Sequence, residues 1–317
     1  MRPTISEIKT NRKQIQEYCI ETPTFRSAHP LWNEGNIPWF KAELFQYSGS
    51  FKYRSVISFL NSLSNEEKAK GVCAASGGNH AIAVGLACQK MNIPSTVVVP
   101  KTINAGRLEV LRGTGANIVF ADSIASVFAK LDEVKRQGLL EIHAFSGPHI
   151  LKGIGSLALE VYETVPDLDV LVASVGGGGL LSGLAYTLKE LKPNITVYGV
   201  EPEGAMTISH SLKCGSPQKL EKIDTIADSL SAPYALDYSY QVISDYVDEI
   251  ATVSDDQIRS SMRWAMSHLN LKLEPACAAA IAACQYPLQK KLVGKKVCVV
   301  LCGTNIDLQS YQQLLND

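Results

Sequence analysis

The sequence predicts an α/β protein of two domains, with mostly parallel, twisted sheets flanked by helices. Three observations carry this reading. From about Gly71 onward, short apolar runs rich in β-branched residues alternate with stretches of helical periodicity, joined by short connections. The chain has 317 residues, more than a single domain usually holds. No linker, repeat or low-complexity tract divides it, so one domain is expected to be inserted in the other rather than strung after it.

The elements are expected in the following order. Residues 72–75 form a short apolar strand ending in Ser76-Gly77-Gly78-Asn79, and 80–90 read as a helix. Residues 95–100 are β-branched and closed by proline, which suits a strand. A helix at 105–112 leads to a strand at 117–121, and apolar spacing at 123–137 is again helical. Residues 141–145 look strand-like. A helix at 153–164 precedes a strand at 170–174, a helix at 180–191 and a strand at 195–200. Residues 255–270 and 274–285 are expected as helices, and 296–301 as a buried strand. Between 205 and 254 the pattern loses regularity: Gly215-Ser216-Pro217 and scattered Tyr and Asp residues suggest loops and short elements.

Composition narrows the function classes. Thirty basic and 31 acidic residues leave a net charge of −1, so no nucleic-acid or anionic-membrane footprint is expected. The apolar runs are too short to span a bilayer, and the charged residues 1–17 lack the core of a signal peptide. A cytoplasmic protein is expected. The eight cysteines form no CxxC pair and no Cys/His cluster, so they are expected as free thiols within apolar runs, with Cys302 set apart by its motif.

Three glycine-rich turns carry the chemistry. Gly176, Gly177, Gly178 and Gly179 follow a strand and open a helix at Leu180. Backbone amides converging at a helix N-terminus favour a phosphate. Neither the dinucleotide pattern, since Ser182 takes the third glycine's place, nor the P-loop lysine is present, so one phosphate group is expected rather than a chain of them. A tight turn without a ligand would need only one or two glycines. Ser76, Gly77, Gly78, Asn79 and His80 make a second turn suited to a carboxylate, although such a turn can be only a turn. Cys302, Gly303, Thr304 and Asn305 make a third, after a strand and before a helix. Ligands gather at the carboxyl ends of parallel strands, so the three are expected to converge. Lys52, between Phe51 and Tyr53, fits either a solvated lysine near a helix start or a buried amine with a lowered pKa.

Taken in order, Ser-Gly-Ser-Phe-Lys (48–52), Ser-Gly-Gly-Asn-His (76–80), the tetraglycine loop (176–179), Glu-Pro-Ala-Cys-Ala-Ala-Ala (274–280) and Cys-Gly-Thr-Asn (302–305) resemble the fold-type II pyridoxal-phosphate enzymes, in particular the serine/threonine dehydratase and serine racemase group. The resemblance covers nearly the whole chain and implies the fold shared with tryptophan synthase beta. It implies pyridoxal 5'-phosphate as cofactor, bound covalently by Lys52, with Phe51 against its ring, Asn79 on the ring's 3-oxygen, and Gly176, Gly177, Gly178, Gly179 and the Leu180 amide on the phosphate. Ser76, Gly77, Asn79 and His80 would receive the substrate carboxylate. Cys302 would face the ring nitrogen, and Glu274 matches an acid near the cofactor, although it also reads as an ordinary helix-start glutamate before Pro275. The expected division is a large cofactor domain of residues 1–52 and 147–317 and a small inserted domain of 53–146. A homodimer acting on a small amino acid is the family expectation.

Residue choices then sharpen the expected reaction. A thiol at Cys302 is a weak, neutral partner for a ring nitrogen, which suits β-elimination and disfavours transamination. Racemising relatives carry a serine where this chain has Gly77, so the far face lacks an acid/base group. A cation site seen in some relatives is matched by Glu201 and the Ala205 carbonyl, but Thr207 replaces its Asp, so no cation is expected. The expectation is β-elimination from L-threonine and/or L-serine to 2-oxobutanoate or pyruvate and ammonia. The alternatives are racemisation, β-replacement or another hydroxy-amino-acid lyase of this fold, and more remotely a non-catalytic cofactor-binding protein.

Overall fold

The computed structural model describes residues 1–32 and 37–316. Among them, ten strands run as β1 (Thr24–Arg26), β2 (Trp39–Lys41), β3 (Val72–Ala75), β4 (Ser95–Pro100), β5 (Asn117–Ala121), β6 (Leu140–Glu141), β7 (Val170–Ser174), β8 (Thr196–Pro202), β9 (Glu249–Val253) and β10 (Val297–Val300). They form two sheets, ordered β1-β2-β10-β7-β8-β9 and β5-β4-β3-β6. Every pairing is parallel except β1 with β2. Parallel neighbours need covered crossovers, and the intervening helices bury both faces. That is why Val170–Ser174 and Val297–Val300 are buried along their whole length.

The strand orders reveal two reversals. In the four-stranded sheet the chain steps outward from β3 to β5, then returns to place β6 on the other side of β3. In the six-stranded sheet it steps from β7 to β9, then returns to place β10 beside β7. Such switch points open crevices at the strands' carboxyl ends. They lie at the ends of β3 and β6, and of β7 and β10.

Behind these crevices the helix Lys52–Ser62 is anchored by buried charge. Arg54 donates to both oxygens of Glu43 (2.8 and 2.9 Å) and of Glu160 (2.6 and 2.8 Å), and Lys41 donates to Glu160 at 2.6 Å. All four side chains are at most 4% exposed. Removing one member of such a network strands the others, at a cost of about 3–5 kcal/mol. The network therefore fixes the helix that begins with Lys52.

The sequence reading is corrected in several places. The strand expected at 141–145 is confined to Leu140–Glu141. His143 bends the chain, its Nδ1 accepting from the amides of Phe145 (3.2 Å) and Ser146 (3.1 Å). The helix expected from 153 begins at Pro148, whose missing N–H costs nothing in a first turn. The irregular region 205–254 holds the helices Thr207–Cys214 and Asp237–Tyr246 and strand β9. Ser239, Tyr240, Val242 and Ile243 are buried on one face, a helical spacing obscured in the sequence by the polar residues between. After Cys302–Asn305 the next helix starts only at Leu308. Seven cysteines are buried free thiols, and Cys214 is exposed.

Candidate active site

Both switch points contribute to one site. At the end of β10, the Phe51 amide donates to the Cys302 carbonyl (3.0 Å), and Ser50 forms an isolated bridge with Gly303. These contacts seat Lys52 at the first position of its helix, beside the third glycine-rich turn. Lys52 Nζ donates to the Ala144 carbonyl at 2.7 Å and lies 4.9 Å from the Phe51 ring centre. The residue is half-buried by area. Burial of the ammonium is nevertheless the largest influence on its pKa, lowered to about 8, against the opposing pull of Cys302 and Glu274. A neutral amine is thus accessible near physiological pH, as a nucleophile or a base requires.

The turn after β3 joins the same site. Asn79 Nδ2 donates to Glu274 Oε1 at 2.6 Å, while its Oδ1 accepts from Asn305 Nδ2 at 2.6 Å. Glu274 flanks the helix Pro275–Gln285, but its side chain makes no cap there and turns into the site instead. It is fully buried, and burial raises its pKa to about 6 although Arg107, 3.5 Å away, opposes the rise. Gly303 is required beside it, because a Cβ there would stand 2.2 Å from Glu274 Oε1. His80 donates through Nε2 to the Ile142 carbonyl at 2.8 Å and is held neutral by burial, its pKa lowered to about 3. Its Nδ1 is buried without a partner. Cys302 is buried beside Cys277, and that contact together with burial pushes its thiol pKa well above the ordinary range.

The two helix N-termini have free donors. Among the described residues, the amides of Gly176, Gly177, Gly178, Gly179 and Leu180 have no hydrogen-bond acceptor. Gly178 has φ +91°, and a Cβ on Gly177 would lie 2.5 Å from the Phe145 ring. Five amides at a helix N-terminus, four of them on glycines that leave the approach bare of side chains, fit a phosphate ester. At the other turn, Ser76 Oγ accepts from the Gly78 amide (3.1 Å), while the amides of Gly77, Asn79 and His80 are unpaired among the described residues. Three such amides fit a carboxylate.

The weak cation candidates are differently employed. Glu201 is fully buried, and its oxygens accept from the amides of Ile208 (2.7 Å) and Ser209 (2.9 Å). Thr207 donates its hydroxyl proton to the Ala232 carbonyl at 2.6 Å. Among the described residues no group of three or more His, Cys, Asp or Glu side chains is placed to hold a metal.

Several site residues escaped the sequence reading. Ala144 supplies the carbonyl that holds Lys52. Arg107 donates to Asp228 and to the Asn305 carbonyl (2.9 Å), tying the helix Ala105–Gly113 to the loops around the large sheet. Ser229 donates to Glu274 Oε2 at 3.3 Å, and Leu230 backs Gly176. The Ala105–Gly113 helix and Pro100, both beside the Ser76 turn, were legible as elements but not as site walls.

Comparison with known proteins agrees with this geometry. Residues 15–303 match a family described as "Pyridoxal-phosphate dependent enzyme". The chain is 37% identical over 314 residues to phenylserine dehydratase of Ralstonia pickettii, covering 99% of this chain and 96% of that one. It is 32% identical over 315 residues to L-threonine ammonia-lyase of Thermotoga maritima, covering 99% and 78% respectively. The structure of maize serine racemase superposes with a TM-score of 0.93 at 31% identity, covering 100% of this chain and 98% of that one. A match over most of the chain, joined to a buried lysine at the head of its helix and a bare glycine cradle, places this chain among the fold-type II pyridoxal-phosphate dependent enzymes, in the family of hydroxy-amino-acid lyases and racemases.

Proposed function

We propose that this enzyme is a dehydratase that removes the β-hydroxyl of L-threonine and L-serine, giving 2-oxobutanoate or pyruvate and ammonia. The observation that carries the reading is Lys52: a single amine of lowered pKa, held on the Ala144 carbonyl beside two helix N-termini with unpaired amides. In this reading the amides of Gly176, Gly177, Gly178, Gly179 and Leu180 bind the cofactor's phosphate, and Asn79, fixed by Glu274 and Asn305, orients the ring. Gly77, Asn79 and His80 offer their amides, with the Ser76 hydroxyl, to the substrate carboxylate. Bound pyridoxal phosphate supplies an electron sink that makes the Cα proton removable. Lys52 Nζ takes that proton as general base. The neutral Cys302 thiol would add no charge to the bound ring, which favours elimination, and the β-hydroxyl would leave as water with the proton that Lys52 has taken up. The unsaturated product leaves and hydrolyses to the 2-oxo acid and ammonia.

Relatives named for phenylserine, threonine and L-threo-3-hydroxyaspartate all act on β-hydroxy amino acids, which supports elimination as the reaction. Gly77 favours elimination over racemisation, since it leaves the face opposite Lys52 without a hydroxyl. The resemblance further supports a cytoplasmic homodimer, with residues 53–146 as the smaller of two domains.

The test is Lys52→Ala. The variant is expected to fold and to lose oxo-acid formation by at least ~10⁴-fold, with no covalent attachment of cofactor. Borohydride reduction and peptide mapping of the wild type should label Lys52. A label on another lysine would overturn the assignment.

A further inference from the structure

An aromatic wall beside Lys52 has no part in the elimination just described. Phe145 follows Ala144, the residue that holds Lys52 Nζ. Its ring lies 6.2 Å from that of Tyr234, tilted by 53°, and Tyr234 lies 5.9 Å from Phe128, tilted by 56°. The rings come from three separate segments: the turn after β6, the loop preceding the helix Asp237–Tyr246, and the helix Ile124–Lys135. Phe128 is 40% exposed, and Tyr234 and Phe145 are half-buried, so the wall keeps apolar surface uncovered.

The charges around this wall are engaged elsewhere. Glu141 pairs with Lys135 at 2.6 Å. Arg107 is taken by Asp228, the Asn305 carbonyl and Glu274. His143 meets Phe145 edge-on at 4.7 Å, but burial lowers its pKa and its Nδ1 already accepts two amides, so it brings no positive charge. A substrate with an acidic side chain finds no free cation here among the described residues. Phe145 follows the residue that holds Lys52 Nζ, and its ring lies against Gly177 of the glycine loop; the β-substituent of a substrate whose carboxylate meets the Gly77, Asn79 and His80 amides and whose Cα meets Lys52 Nζ would extend toward it. Serine and threonine would leave the uncovered parts of these rings facing water, whereas an aryl group would cover them in the tilted arrangements that aromatic rings prefer.

We infer that the preferred substrates are β-hydroxy amino acids with an aryl or similarly large apolar β-substituent, seated against Phe128, Tyr234 and Phe145, with serine and threonine the small members of the range. The inference rests on the dehydratase reading and names its substrate class.

The experiment measures oxo-acid formation by the holoenzyme from L-threo-phenylserine, L-threonine, L-serine and L-threo-3-hydroxyaspartate. The kcat/KM for phenylserine is expected to exceed that for threonine by about tenfold or more, with hydroxyaspartate lowest. In Phe128→Ala and Tyr234→Ala the phenylserine-to-threonine ratio of kcat/KM should fall about five- to tenfold, mainly through KM, and Tyr234→Phe should restore it. Threonine used as well as phenylserine, or equal losses on both in the alanine variants, would overturn the aromatic subsite and leave the dehydratase standing. No oxo acid from any of the four would overturn the dehydratase itself. Should the alanine variants fail to fold, the wild-type ratio and Phe128→Leu decide the question.

Discussion

The glycine-rich turns after β7 and after β3 both open a helix at the carboxyl end of a parallel strand, yet they are built by different means. After β7 the device is backbone alone. A Cβ would come within 3.0 Å of Leu230 at Gly176, 2.5 Å of Phe145 at Gly177, 2.8 Å of Ile243 at Gly178 and 2.9 Å of Phe145 at Gly179. After β3 the device uses side chains, with Ser76, Asn79 and His80 each held by a specific hydrogen bond. Gly78 has room, the nearest atom to a Cβ there being 3.8 Å away, while a Cβ at Gly77 would press on Pro100 Cδ at 3.1 Å, a contact that a small shift relieves. One anion site is therefore fixed by crowding and tolerates no change. The other has more space at Gly78, which suits the carboxylate-binding role proposed for its amides.

The largest effect should come from crossing that difference. Gly177→Val obstructs the amides and displaces Phe145, and is expected to raise the dissociation constant for pyridoxal phosphate about 100-fold or more through lost charge-assisted hydrogen bonds. The apoprotein's melting temperature should move by only a few degrees. Gly78→Ala, in the roomier turn, should weaken cofactor binding by less than about tenfold. Fluorescence titration of both apoproteins measures this, and equal affinities would erase the distinction between the turns.

A second test concerns the amine between the turns. Burial lowers the Lys52 pKa to about 8, so the ammonium dominates below that pH and the neutral amine above it. Covalent capture of added cofactor by the apoprotein should rise about tenfold per pH unit below the midpoint and level off above about 8. Stopped-flow absorbance reads the profile. A midpoint near that of an ordinary lysine would mean that the cleft leaves the amine solvated.

The smallest effect is stereochemical. Wild type should consume L-serine with little D-serine formed, because Gly77 offers no proton to the far face. Gly77→Ser requires Pro100 to give by a few tenths of an ångström. It should raise D-isomer formation by about tenfold or less, the low end of what a positioned acid/base group contributes. Chiral chromatography of the remaining substrate decides it. Substantial D-serine from the wild type would show that the turn after β3 is not what suppresses racemisation.

The four glycines and the Ser76–His80 turn were legible because each is a local pattern, a glycine run after a strand and a polar turn before a helix, whereas Lys52 fitted a solvated lysine as well as a buried one until the resemblance singled it out. The metal candidates show the limit of such patterns. Glu201 matches a ligand position by motif alone, and only the structure shows that the helix that follows donates its own amides to that carboxylate. The strand expected at 141–145 failed for a related reason. Its β-like residues are overridden by a histidine that accepts the amides a ladder would have used.

By itself the sequence determined the alternation of parallel strands and helices, the anion-ready ends of two of those helices and the amine at the head of a third. These follow from side-chain periodicity and from glycine, which act within a few residues. Only the tertiary structure decided which of these pieces meet. Asn79 joins Glu274 across 195 residues, Arg107 joins Asp228 across 121, and Lys52 joins Ala144 across 92. Those meetings depend on strand order, above all on β6 returning past β3 and β10 past β7, and strand order is set by the packing of whole faces rather than by any local pattern.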